Sequence, residues 1–337
     1  MIEESIQGRS IQWVDNHCHM DNNDEGRAEI TDAIHAGVKK FVNVGTDFTT
    51  SQDALKLAQE FPGTVFSTAG VHPHEASKGL QGIKDLLDNP HVVAVGECGL
   101  DYHYNHSPPS TQRKIFAEHI ALAHEFNMPL VIHAREAWDE IFSILEIEET
   151  PSKTVFHCFT GSTKEAEKAL SLGALLSFSG IITFKNAQDT RDAMLRVPLD
   201  RFMIETDSPY LAPTPLRGQP NSPRNLPLVA ACIAEERKLS DLDFIDSLYI
   251  PTHFGFFFLS DFLPVGLSIL LVFLSEFFRV GLSILLVFLC DFLPVGLSIL
   301  PPCFCDFLPV GRVVLPPCFC DFLLVGLVIL LFFLTNA

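Results

Sequence analysis

Val92-Val93-Ala94-Val95-Gly96-Glu97 is a short apolar run closed by a glycine and a carboxylate. It is continuously apolar and β-branched rather than alternating, as expected of a strand buried on both faces. Seven further runs read the same way, at residues 11–14, 41–44, 64–66, 130–132, 154–156, 174–178 and 202–204. Segments with helical spacing lie between them, such as 112–126, 137–145 and 163–172, with Pro129 and Gly173 as punctuation. Strand–helix alternation predicts a parallel sheet. Eight repeats over about 240 residues match a (β/α)8 TIM-type barrel in size. A doubly wound open sheet is the structural alternative.

The polar residues decide between the two. Asp15, His17 and His19 follow the first run, His72 the third and Glu97 the fourth. His133, His157 and Asp207 follow the fifth, sixth and eighth. Candidate ligands at so many different strand ends belong to a barrel mouth, where all those ends converge. In an open sheet they would lie too far apart to share a site.

The 337 residues are two unlike pieces. Residues 1–249 read as a soluble protein. Residues 250–337 hold 16 of the 29 Phe and five of the nine Cys. This tail carries two arginines against five acids, a net of −3, which leaves −15 of the total −18 to the body. An acidic body argues against broad electrostatic binding of a nucleic-acid backbone. It leaves room for a pocket whose positive charge comes from metal ions. Cys18, Cys98, Cys158 and Cys232 are widely spaced, with no CxxC, and read as reduced thiols of a cytoplasmic protein. Residues 1–10 do not read as a signal peptide.

In Asp15-Asn16-His17-Cys18-His19, an extended backbone points residues i and i+2 the same way, so both imidazoles could grip one ion. Asp15 shares that face and could orient a ligand or coordinate weakly. Glu97, between Gly96 and Gly99, reads as a carboxylate on a tight loop, able to bridge two ions or to bond nearby backbone. Asp101 could be a helix cap or turn residue. His133 and His157 end apolar strands, where histidine is a poor choice unless it binds something. Asp207 could ligate a metal and hold a proton from an attacking water. Glu205, two residues earlier, could be a packing residue or support a ligand.

Together four histidines and two carboxylates suit Zn, Mn, Co or Ni more than Ca, with Mg open through the carboxylates. Such a site acidifies water toward a pKa of ~7 and polarises a phosphoryl or carbonyl oxygen, so hydrolysis is the natural outcome. No Gly-rich dinucleotide or P-loop motif is present, so a nucleotide cofactor has no support. His72, His74, Arg135 and Arg224 could face substrate, Arg135 as a bidentate phosphate clamp. The alternative for either arginine is a structural salt bridge.

The stretches DNHCHMD, TAGVHPHEA, VAVGECGLDYHYN, MPLVIHAREA, VFHCFTG, IETDSPYLAP and NSPRNLP, in this order, resemble the TatD-type metal-dependent deoxyribonucleases, a family of amidohydrolase-like barrel hydrolases. The resemblance spans residues 11–248. It implies that His17, His19 and Asp207 hold one divalent ion, that His133 and His157 hold a second, and that Glu97 bridges them. That place is taken by a carboxylated lysine in many barrel hydrolases. It implies that His72 contacts the scissile phosphate or aids catalysis. The implied activity is hydrolysis of DNA phosphodiesters, typically 3′→5′ exonucleolytic, linked to DNA repair or turnover. The family continues into a final helix, and here the tail takes its place.

In the tail Asp261, Glu276, Asp291, Asp306 and Asp321 recur every fifteen residues, heading units such as DFLPVGLSILLVFLS and EFFRVGLSILLVFLC. Fifteen fits neither a heptad nor a known solenoid period. The near-identity suggests a tandem DNA repeat read through near Tyr249 rather than a native domain. The rival is membrane contact, although charges and prolines interrupt spans that need ~20 apolar residues. Three functions remain: a DNA phosphodiesterase, a barrel hydrolase of another phosphoester, lactone or amide, and a relic inactivated by its altered C-terminus.

Overall fold

A computed structural model describes residues 12–239. Expectations for residues 1–11 and 240–337 lie outside the described residues. These include the domain boundary at 249, the lost final helix and the origin or membrane contact of the tail.

The chain alternates strand and helix. The order is β1 (Trp13–Cys18), α1 (Asp24–His35), β2 (Val38–Asn43), α2 (Phe48–Glu60) and β3 (Val65–Ala69). A 3-10 turn (Pro73–Lys78) and the short α3 (Ile83–Leu87) follow. Next come β4 (Val92–Asp101), α4 (Pro109–Phe126), β5 (Leu130–Arg135), α5 (Trp138–Ile147), β6 (Thr154–Phe156) and α6 (Thr163–Ser171). The series ends with β7 (Leu175–Phe178), α7 (Gln188–Arg196), β8 (Phe202–Ile204) and α8 (Leu226–Arg237). Each strand pairs in parallel with the next, in the order β1 to β8. The segment after β8 then returns to β1. The Asp207 amide donates to the His17 carbonyl at 2.9 Å, and the His19 amide donates to the Ser208 carbonyl at 2.8 Å. The Asn16 side-chain amide donates to the Ile204 carbonyl at 2.9 Å. The fold is therefore a (β/α)8 barrel, and the open sheet is excluded.

The strands are buried on both faces, which is why they read as unbroken apolar runs. Val155, Leu175 and Met203 form a small buried cluster of their own, apart from the main core. Their neighbours Phe156 and Phe202 belong to the main core, packed on Phe142, Trp138 and Phe178. Successive residues of one strand thus fill two different layers. Helix starts are fixed locally. Asp47 and Thr50 form a reciprocal cap at α2, and Ser162 and Glu165 form one at α6.

β1, β3, β4 and β5 run beyond their apolar runs. β1 continues through His17 and β4 through Asp101. Glu97, expected on a loop, lies inside β4 and is buried. Gly99 makes this possible. Its φ is +133°, and a Cβ there would lie 2.1 Å from the His133 carbonyl oxygen. Only glycine permits that approach of β4 to β5, and the approach seats Glu97 beside His133.

The His72 segment is held from behind. On the buried face of α4, His119 accepts the Val71 amide at its Nε2 (2.9 Å) and donates from Nδ1 to the Ile115 carbonyl (2.7 Å). Burial pushes its pKa down to about 4. The folded state therefore binds fewer protons than the unfolded state between pH ~6.5 and ~4. This contribution is complete above ~6.5 and is lost as pH falls through that window. Between pH ~6.5 and ~5 the wild type should lose about 2 kcal/mol that His119→Gln does not lose. Urea unfolding of both proteins at the two pH values reads the difference, and parallel losses would refute it.

Candidate metal centre

His17 (β1), His19, Glu97 (β4), His133 (β5), His157 and Asp207 converge at the C-terminal ends of the strands. His17 Nε2 lies 3.3 Å from His19 Nε2 and 3.8 Å from Asp207 Oδ1. His19 Nε2 lies 3.5 Å from that same oxygen. A second group forms where His133 Nδ1 and His157 Nε2 stand 3.3 Å apart. Glu97 sits between the groups. Its Oε2 faces His17 at 3.3 Å and His19 at 3.9 Å. Its Oε1 faces His157 at 2.7 Å and His133 at 3.0 Å. One carboxylate thus addresses two histidine pairs with two different oxygens.

The outward nitrogens reveal what the inward ones can do. His19 Nδ1 lies 3.0 Å from the Val44 carbonyl, which can only accept. His133 Nε2 lies 3.1 Å from Asp101 Oδ2. His157 Nδ1 lies 3.3 Å from Glu205 Oε1. With its outward nitrogen donating, each neutral ring turns a bare lone pair inward, toward other lone pairs. That arrangement suits a cation, and the orienting carboxylates are typical partners of metal-bound histidine. Nitrogen and oxygen ligands bonded to one ion at ~2.0–2.2 Å stand about 3–3.5 Å apart, close to the separations here. The residues therefore fit divalent ions.

The electrostatics agree. Burial would raise the Glu97 carboxyl, but the His157, His72 and His17 imidazoles outweigh it and hold the group well below the usual range. Burial likewise opposes ionisation of Asp207, and the bond to His19 with the nearby imidazoles overrides it. Burial would lower His157, yet Glu97 and Glu205 raise it well above its ordinary value. A buried nest of carboxylates thus calls for positive charge, and metal binding would release the protons that otherwise supply it.

His72 is different. Its Nδ1 accepts the His74 amide at 3.1 Å, which leaves the proton on Nε2, 3.5 Å from Glu97 Oε1. Burial keeps the ring neutral. It presents a hydrogen-bond donor to the centre, where His19, His133 and His157 turn lone pairs inward.

The remaining expected residues fall farther out. His74 Nε2 is engaged with Asp101 Oδ2 at 2.9 Å. Arg135 is exposed, with its guanidinium 4.7 Å from the Tyr104 ring centre. Arg224 is exposed and stands 3.8 Å from Asp32, a pair of little energetic weight. Asp15 accepts the Thr206 amide at 2.9 Å and the Thr206 hydroxyl, and burial raises its carboxyl to about 7. It clamps β1 to the segment carrying Asp207, so it orients the site without facing it.

Asp101, which the sequence presents as a turn or cap residue, does more. Its Oδ1 does accept the His103 and Tyr104 amides, each at 3.0 Å. Its Oδ2 also holds His133 and His74. Carrying β4 on to residue 101 would have placed Asp101 on the same side as Glu97 by the period of two. Asp101→Asn keeps an acceptor for the turn but turns an NH₂ toward two ring donors. The expected result is a 10- to 100-fold weaker affinity for divalent ion, roughly the loss typical of such orienting partners. Chelator competition measures it, and wild-type affinity would remove Asp101 from the centre.

Residues 14–248 match the family described as TatD related DNase. The metal-dependent hydrolase YabD of Bacillus subtilis, described as uncharacterized, is 37% identical over 235 residues, covering 67% of this chain and 91% of YabD. The protein TatD of Erwinia tasmaniensis, described as a 3′-5′ ssDNA/RNA exonuclease, is 39% identical over 210 residues, covering 60% of this chain and 81% of its own. Among solved structures, the TatD homologue YJJV of Escherichia coli K12 superposes with a TM-score of 0.68 at 28% identity, covering 73% of this chain and 98% of that one. Fold, histidine–carboxylate centre and sequence agree: the chain belongs to the TatD family of metal-dependent hydrolases.

Proposed function

We propose that this chain is a deoxyribonuclease that hydrolyses phosphodiesters of single-stranded DNA, working from 3′ ends, with two divalent ions. His17, His19 and Asp207 would hold one ion, His133 and His157 the other, and Glu97 would bridge them. The observation that carries this reading is the placement of Glu97, whose two oxygens face two separate histidine pairs. A divalent ion there supplies Lewis acidity, acidifying water and drawing charge from a phosphoryl oxygen. Asp207, kept ionised, would take the proton of the attacking water. His72 would donate its Nε2–H to a phosphate oxygen, where charge develops in the transition state. The relatives named as 3′-5′ ssDNA/RNA exonucleases support the substrate class.

The four cysteines of the described residues are free thiols, which suits the reducing cytoplasm. No helix among the described residues is long and apolar enough to cross a membrane.

A second reading, a hydrolase of another phosphoester, lactone or amide, draws on the acidic body, which offers a nucleic-acid backbone little attraction. One experiment separates the two. The full-length chain is loaded with Mn, Mg, Zn, Co or Ni and offered single-stranded DNA, a chromogenic phosphodiester, a lactone and an amide. Shortening of the DNA from its 3′ end supports the first reading. Turnover of the small substrates without DNA cleavage under any metal favours the second.

A further inference from the structure

Tyr104 is 51% exposed, beside a buried catalytic mouth, on a loop with little freedom to hide it. The loop joins β4 to α4 and also exposes His103, Asn105 and His106. Its backbone is pinned from below. Asp101 takes two of its amides, and Ser107 Oγ donates to the His74 carbonyl at 2.8 Å. Gln112 Nε2 donates to the Ser107 and Asp101 carbonyls at 2.9 and 3.0 Å. A fixed loop that presents aromatic groups to water is spending hydrophobic surface on something other than its own fold.

The rings are already organised. Tyr104 and His106 lie nearly parallel, 11° apart in plane, with centroids separated by 5.7 Å. The Arg135 guanidinium carbon lies 4.7 Å from the Tyr104 centroid. His103 meets Tyr104 edge-on at 4.7 Å. One imidazole, His74, bridges the distance to the centre. It stands 5.5 Å from Tyr104 and 6.3 Å from His133, centroid to centroid. The cluster is thus an exposed aromatic and guanidinium surface beside the His133–His157 pair, in which Tyr104 and His106 share an orientation while His103 and His74 stand edge-on to Tyr104.

We propose that Tyr104, with His106 and Arg135, is a stacking platform for one unpaired nucleobase of the strand whose phosphate reaches the metal centre. Two observations fit that occupant. Aromatic faces and guanidinium planes are the surfaces on which splayed bases stack, whatever their identity. A chain of formal charge −18 also offers a polyanion little broad attraction away from the metal centre, so stacking would add affinity that surface charge does not. A base inside a duplex already has both faces covered and must be unstacked first, at a cost of a few kcal/mol. The platform therefore selects unpaired ends. This inference rests on the phosphodiesterase reading for its substrate class.

The test uses the full-length, metal-loaded protein and short single-stranded oligonucleotides with nuclease-resistant phosphorothioate linkages. One probe carries 2-aminopurine near its 3′ end, and its partner carries a reduced abasic residue there. Wild type should bind the base-bearing strand roughly 5- to 100-fold more tightly and quench its fluorescence on stacking. Tyr104→Ala should bring the two affinities together and abolish the quench, and Tyr104→Trp should restore both. Equal wild-type affinity for the two strands, or an undiminished preference in Tyr104→Ala, overturns the platform. Hydrolysis of an unmodified strand by the same preparation judges the phosphodiesterase reading separately. Base preference without cleavage sinks that reading and upholds the platform, and cleavage without base preference does the reverse.

Discussion

Glu97→Gln should lower kcat/KM on single-stranded DNA by at least roughly a thousandfold, about 4 kcal/mol of transition-state stabilisation. The substitution keeps shape and burial and replaces one carboxylate oxygen with an amide nitrogen. That nitrogen must then face either the His17–His19 pair or the His133–His157 pair, because the two oxygens are divided between them. An amide nitrogen has no lone pair to give an ion, so one of the two groups loses its shared ligand. The lost negative charge also removes the main attraction for cations at the heart of the site. Steady-state kinetics at saturating metal read the outcome. A variant within tenfold of wild type would mean that Glu97 is a structural carboxylate.

Asp207→Asn should act mainly on kcat, lowering it by roughly 10²- to 10⁴-fold, the range for losing a positioned proton acceptor. Its Oδ1 lies 3.5 Å from His19 Nε2 and 3.8 Å from His17 Nε2. The carboxylate stays ionised across neutral pH because His19 holds it below its usual range against the effect of burial. Asparagine preserves the backbone bond that closes the barrel, from the Asp207 amide to the His17 carbonyl. The fold should therefore survive, which circular dichroism can verify. A change confined to KM, with kcat intact, would place Asp207 in substrate binding and outside the chemical step.

The barrel was legible because a parallel strand buried on both faces leaves a continuous apolar trace. β6 and β8 have the bounds that their runs predict. β1 and β4 are longer than their runs, and for one reason. Apolarity stops where the centre begins, so His17 and Glu97 read as residues after a strand although they lie within one.

Candidate ligands were visible one strand end at a time. Their supports were not. Asp101 meets His133, Glu205 meets the Cys158 amide and His157, and Asp15 meets Thr206. Each pairing joins elements distant in sequence, and only strand register brings them together. Arg135 shows what spacing alone leaves open: it follows His133 by two residues, and its guanidinium lies over the Tyr104 ring.

Calorimetric titration of divalent ion into the chelator-stripped, full-length chain tests most directly whether Glu97 joins two metal positions. Two ions bound per chain in the wild type, with fewer in Glu97→Gln, is the predicted result. A single ion per chain in a wild type that still hydrolyses DNA would contradict it.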